Sequence, residues 1–91
     1  MNTLASESLD SDKFIMEKRI LIGHSIREIR EKRGLSQEQL AEKMNISRST
    51  ISKIESGKFN CSIDYLSKFS YSLGFDLGIS DNSNSHERDK C

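Results

Sequence analysis

Ala41, Asn45, Ile51 and Ile54 are the residues whose types and spacing point most directly to chemistry. A small residue at 41 lets a second helix approach the first closely. Asn45, four positions on, tolerates the left-handed backbone that a tight turn requires. Ile51 and Ile54, six and nine positions past the turn, pin the second helix to a core. These are the demands of two short helices crossing at a tight turn. The outer face of the second helix then stands out as a ridge. An α-helix fits the major groove of B-DNA, where each base pair shows its own pattern of donors and acceptors. The chemistry implied is recognition by hydrogen bonding. Bond-making chemistry has nothing behind it: no paired carboxylates, no nucleophile beside a base and no phosphate loop. The chain is expected not to be an enzyme.

The elements that must position this pair are legible around it. Ser36-Gln37-Glu38-Gln39 reads as a capping box, with Ser36 accepting from the third amide and Gln39 reaching back. Leu40, Ala41 and Met44 form the inner stripe of the helix it opens. Ser47 caps the next helix and Gly57 closes it. A first helix is expected from Ser11 or Asp12 to Arg33, with Gly34 as its left-handed C-terminal residue. Ile15, Ile22, Ile26 and Ile29 share one face of it, and Phe14 and Leu21 lie on a neighbouring face. This segment is one long helix or two joined near Gly23, and one is the preferred reading. A fourth helix runs from a Ser62 cap to Gly74, with Leu66, Phe69 and Leu73 inward. Phe75-Asp76-Leu77-Gly78-Ile79 alternates apolar and polar, the period of a short strand. Such a strand needs a partner to be stable.

Length and charge bound the rest. The chain has 91 residues, 14 basic and 14 acidic, for a formal net charge of zero. That suffices for one small domain with tails. The neutrality argues against nucleic-acid binding only if charge is spread evenly, and it is not. Residues 1–12 carry three acids and no base; residues 13–60 carry eleven bases against six acids; residues 61–91 carry three bases against five acids. A +5 middle is flanked by acidic ends. The expected organisation is a disordered tail over 1–11, a DNA-binding domain with a C-terminal dimerisation strand over 12–79, and a disordered tail over 80–91. Cys61 and Cys91 lack CxxC spacing, and His24 and His86 have no ligand partners at repeating spacing, so neither a disulfide, a metal nor a cofactor is expected. The longest apolar run considered, Ile20-Leu21-Ile22, is three residues, far short of a membrane span, and the N-terminus lacks a signal-peptide pattern. A cytoplasmic location follows, with no membrane partner.

The run from Arg33 to Gly57, RGLSQEQLAEKMNISRSTISKIESG, resembles the lambda-repressor/Cro-type helix-turn-helix domain, and the likeness covers about residues 20–75. The resemblance implies an all-α bundle of four or five helices, here with the short C-terminal strand. It also implies binding of operator DNA as a dimer and regulation of transcription. By position, Arg48, Ser49, Ser52 and Lys53 match the base-reading face. Arg48 is the leading reader, because a guanidinium grips guanine O6 and N7 with two parallel bonds. Ser36, Gln37, Ser47, Thr50, Lys58 and Asn60 match phosphate-contacting positions, Gln37 at a helix N-terminus that suits an anion. Arg30 and Glu55 match a structural ion pair. The bland readings stand beside these: exposed Arg and Lys as a solvated face, the serines as caps, Lys32 and Arg33 as a basic helix end favoured by the dipole. Two departures from the pattern are Ser70, at a position often small and apolar, and the proline-free loop Lys58–Ser62.

A dimer on an inverted-repeat operator docks two reading helices about 34 Å apart. Two elements are candidates for the homodimer contact: Phe75, Leu77 and Ile79 of the strand, which are favoured, and the stretch Phe14–Leu21. The leading function is a sequence-specific DNA-binding regulator, a repressor. The alternatives are an antitoxin that also holds a toxin partner, argued from fold analogy alone, and a protein-interaction adaptor on the same fold.

Overall fold

A computed structural model describes residues 3–81, with side chains from Leu9 onward. Four helices follow one another: α1 (Thr3–Lys32), α2 (Gln37–Met44), α3 (Arg48–Glu55) and α4 (Ile63–Leu73). The starts of α2, α3 and α4 are set by serines. The Ser36 hydroxyl accepts from the Gln39 amide at 3.0 Å while the Gln39 side chain accepts from the Ser36 amide at 2.8 Å. Ser47 and Ser62 accept from the amides of Thr50 and Tyr65. Each of these bonds satisfies a backbone donor that the helix itself leaves open.

Eight residues make the core: Ile26 of α1, Leu40, Ala41 and Met44 of α2, Ile51 and Ile54 of α3, and Phe69 and Leu73 of α4. Phe69 and Leu40 are wholly enclosed. Leu66 lies at the margin, half-buried against the core. The C-terminus of α4 is held by two cations from elsewhere. Arg33 donates to the carbonyls of Leu73 and Gly74 at 2.7 and 3.0 Å, and Lys43 donates to Ser72 at 2.8 Å. Arg33 is therefore a tertiary tie as well as a basic helix end. The Ser70 hydroxyl donates to the Phe75 carbonyl, so this polar residue beside the core has a partner. The loop without proline is braced by Phe59 packed edge-to-face on Tyr65, with centroids 5.9 Å apart.

Three expectations are corrected. Ser11 and Asp12 do not cap α1 but lie inside it, since the helix runs unbroken from Thr3 and residues 3–11 are helical instead of tail. The chain has no proline, and its first glycine is Gly23, so nothing stops the helix earlier. Ile15 and Ile22, placed on the inward face, are 45% and 37% exposed, because they border an open groove against Leu66 and the Phe59–Cys61 loop instead of closing into the core. Phe75–Ile79 is not a strand: residues 75–81 carry no regular structure, and one chain offers no edge to pair with. Residues 82–91 of the C-terminal tail lie outside the described residues. No described helix is long and apolar enough to cross a membrane.

Candidate nucleic-acid interface

The turn between α2 and α3 is made by Asn45, whose φ of 57° and ψ of 47° are left-handed. Its amide and that of Ile46 return to the α2 carbonyls of Glu42 and Ala41 at 3.2 and 3.0 Å. Ala41, at 4% exposure, is the small contact that lets α3 cross closely. Ile51 and Ile54 anchor one side of α3 in the core, and the other side is left in solvent.

Arg48, Ser49, Ser52 and Lys53 all lie on that solvent side. Among the described residues none of their side chains has a hydrogen-bonding or ionic partner. Lys58 and Asn60, in the loop after α3, are likewise exposed and unengaged. The other three hydroxyls matched to phosphate contacts are already in use. Ser36 caps α2, Ser47 caps α3, and the Ser47 and Thr50 hydroxyls lie 2.8 Å apart.

Behind this face sits a buried polar lock. Arg30 donates from Nε to Glu55 Oε2 at 2.6 Å and from Nη2 to Oε1 at 3.0 Å, a two-pronged grip. Its Nη1 donates to the Leu35 carbonyl. The hydrogen bond that Arg30 donates to Glu55 raises the Arg30 pKa above its ordinary value and outweighs burial, which acts the other way. Gln37 Nε2 donates to Glu55 Oε1 at 3.0 Å, joining the start of α2 to the end of α3. The lock neutralises a carboxylate that would otherwise oppose an approaching phosphate. It also spends one Gln37 N–H inward and leaves the second for a ligand. The Gln37–Glu55 bond was not foreseen, and a residue matched to a phosphate gave no sign of it.

α1 runs unbroken through Gly23, as the one-helix reading expects. Gly23 is buried where α1 meets the last turn of α3, and a Cβ there would overlap the Ile54 carbonyl. A glycine inside an apolar helical run was the signal for such an approach.

The family model described as helix-turn-helix matches residues 26–79, more than half of the chain. The chain belongs to the lambda-repressor/Cro-type helix-turn-helix family. It is 41% identical over 56 residues to the immunity repressor protein of Bacillus phage phi105, covering 62% of this chain and 39% of that protein. It is 44% identical over 57 residues to the control protein C.BamHI of Bacillus amyloliquefaciens, covering 62% and 70%. Among solved structures it is similar to the restriction-modification controller protein C.AhdI of Aeromonas hydrophila, with a TM-score of 0.64 and 31% identity over 67% of this chain and 88% of that one. The match thus spans well under half of the phage repressor and most of the two controller proteins.

Proposed function

We propose that this chain is a sequence-specific DNA-binding transcriptional regulator, a repressor, acting in the cytoplasm on operator DNA. The observation that carries this is the outward face of α3. Four hydrogen-bonding side chains stand there without partners among the described residues, on a helix whose inner side is fixed in the core. Arg48 reads guanine, and Ser49, Ser52 and Lys53 read the neighbouring pairs. Gln37, Lys58 and Asn60 hold phosphates, while Ser36, Ser47 and Thr50 present the helix N-termini to the backbone. One such helix reads too few base pairs for a unique site, so the regulator works as a homodimer on an inverted repeat. The names of the relatives, an immunity repressor and restriction-modification controllers, support this reading.

The test is selection of bound duplexes from a random library, followed by titration at two salt concentrations. An inverted repeat with affinity falling steeply in salt is the expected result. Absence of binding to any duplex at low salt overturns the proposal in favour of a protein-interaction adaptor.

A further inference from the structure

The N-terminal half of α1 carries large apolar side chains that its own domain leaves uncovered. Phe14, Met16, Ile20 and Leu21 are each more than half exposed. They stand among Lys13, Glu17, Lys18 and Arg19, and Phe14 and Leu21, seven residues apart, share one face of the helix. The family match begins at residue 26, so residues 14–22 lie outside it.

Two apolar grooves flank the same helix. One, of about 180 Å³, opens between Phe14, Ile15 and Ile22 of α1 and the loop at Phe59–Cys61. The other, of about 160 Å³, lies between Ile22, Ile29 and the segment holding Phe75 and Leu77. Ile22 and Leu66 line both, so the grooves form one strip from Phe14 to Leu77.

We infer that this strip is the interface between two copies of the chain, with the 14–22 segment of one copy packed on the strip of the other. The inference rests on the proposed reading of the protein as an operator-binding dimer, and it makes the two candidate dimer elements one surface. A two-fold contact must be self-complementary, with projections and recesses on a single patch. This strip has both: Phe14 and Leu77 line the grooves yet stay 57% and 43% exposed, and Leu21 follows Phe14 on the same helix face. Its apolar side chains offer on the order of 600 Å² per copy, approaching the roughly 800 Å² per partner of a standard interface. It includes none of Arg48, Ser49, Ser52 or Lys53, so both reading faces stay free; of the proposed phosphate contacts, only Asn60 lines it.

Sedimentation equilibrium of the full chain without DNA tests this. The wild-type protein is expected to be a dimer. Phe14→Glu combined with Leu21→Glu places charges in the contact and weakens it about 100-fold or more. Helical circular dichroism stays unchanged, because both side chains are exposed in the single chain. Tyr71→Glu, at a side chain 91% exposed and outside the strip, stays dimeric. A monomeric wild type, or a double variant that pairs like wild type, overturns the inference. A second measurement avoids interface substitutions. In Cys91→Ser protein, alkylation of Cys61, which lines the first groove, slows as concentration rises through the dimer range. Concentration-independent alkylation overturns the inference. A protein that dimerises through the strip yet binds no duplex refutes the DNA reading and leaves the interface standing.

Discussion

Gly23 of α1 lies against the Ile54 carbonyl of α3 so closely that a Cβ would overlap it and stand 2.9 Å from the Glu55 carbonyl. Both neighbours are backbone and cannot swing aside. Helix propensity favours Gly23→Ala by about 1 kcal/mol. The clash opposes it by about 1–3 kcal/mol. The clash is expected to win because α3 must shift to relieve it. Thermal melting should show a lower Tm, and a raised Tm would mean that α1 and α3 stand further apart.

Arg30 and Glu55 are enclosed, with side chains 8% and 3% exposed. Arg30→Met leaves Glu55 with only Gln37 as a partner and should cost about 3 kcal/mol in urea unfolding. Arg30→Met with Glu55→Leu removes both charges and should cost clearly less. A double variant as unstable as the sum of the singles would show that the two residues act independently.

Arg48→Ala should weaken specific binding by about 1–3 kcal/mol and relax preference at one base pair. Lys58→Ala should weaken all duplexes alike and make the salt slope shallower by about one. The comparison is a binding titration on the selected operator and on point-changed versions of it. If both variants lose affinity uniformly, Arg48 is not a base reader.

Asn45 is the only non-glycine residue with positive φ among the described residues. Asn45→Ala should destabilise the turn by about 1–2 kcal/mol, as a Cβ without a polar side chain is strained there. Asn45→Gly should be nearly neutral by the same thermal melt. Equal losses for both variants would place the effect in the lost side chain instead of the backbone.

Burial pushes the Cys61 thiol pKa above its usual value. Less thiolate is present at pH 8 than for a free cysteine, and the thiolate is the reacting form. In Cys91→Ser protein, alkylation of Cys61 should be slow at pH 8 and accelerate toward higher pH than for a free thiol. A rate profile matching a free thiol would place Cys61 in solvent.

The reading helix and its supports were legible because their signals are local. Ser36 and Gln39 cap within four residues, Asn45 makes its turn alone, and Ile51 and Ile54 repeat at helical spacing. The pairing of Arg30 with Glu55 was suggested only by resemblance, since nothing local joins residues 25 apart. No strand forms at 75–79 in the single chain, for a physical reason. Alternation records which side chains share a face, but a strand exists only with a neighbour to accept its hydrogen bonds.

Sequence by itself determined α2, α3 and α4, their serine caps, the turn and the uneven charge, all set by residues within a turn or two of one another. Tertiary structure alone decided which apolar faces have partners. Ile15, Ile22 and Ile26 share one stripe of α1, yet only Ile26 is closed off; the other two border a groove left open between α1, Ile54, Leu66 and the Phe59–Cys61 loop. It also decided that Gly23 is a contact and Gln37 half of a lock, since both depend on where α3 ends in space. Periodicity tells which side of a helix is apolar; only packing tells what lies against it.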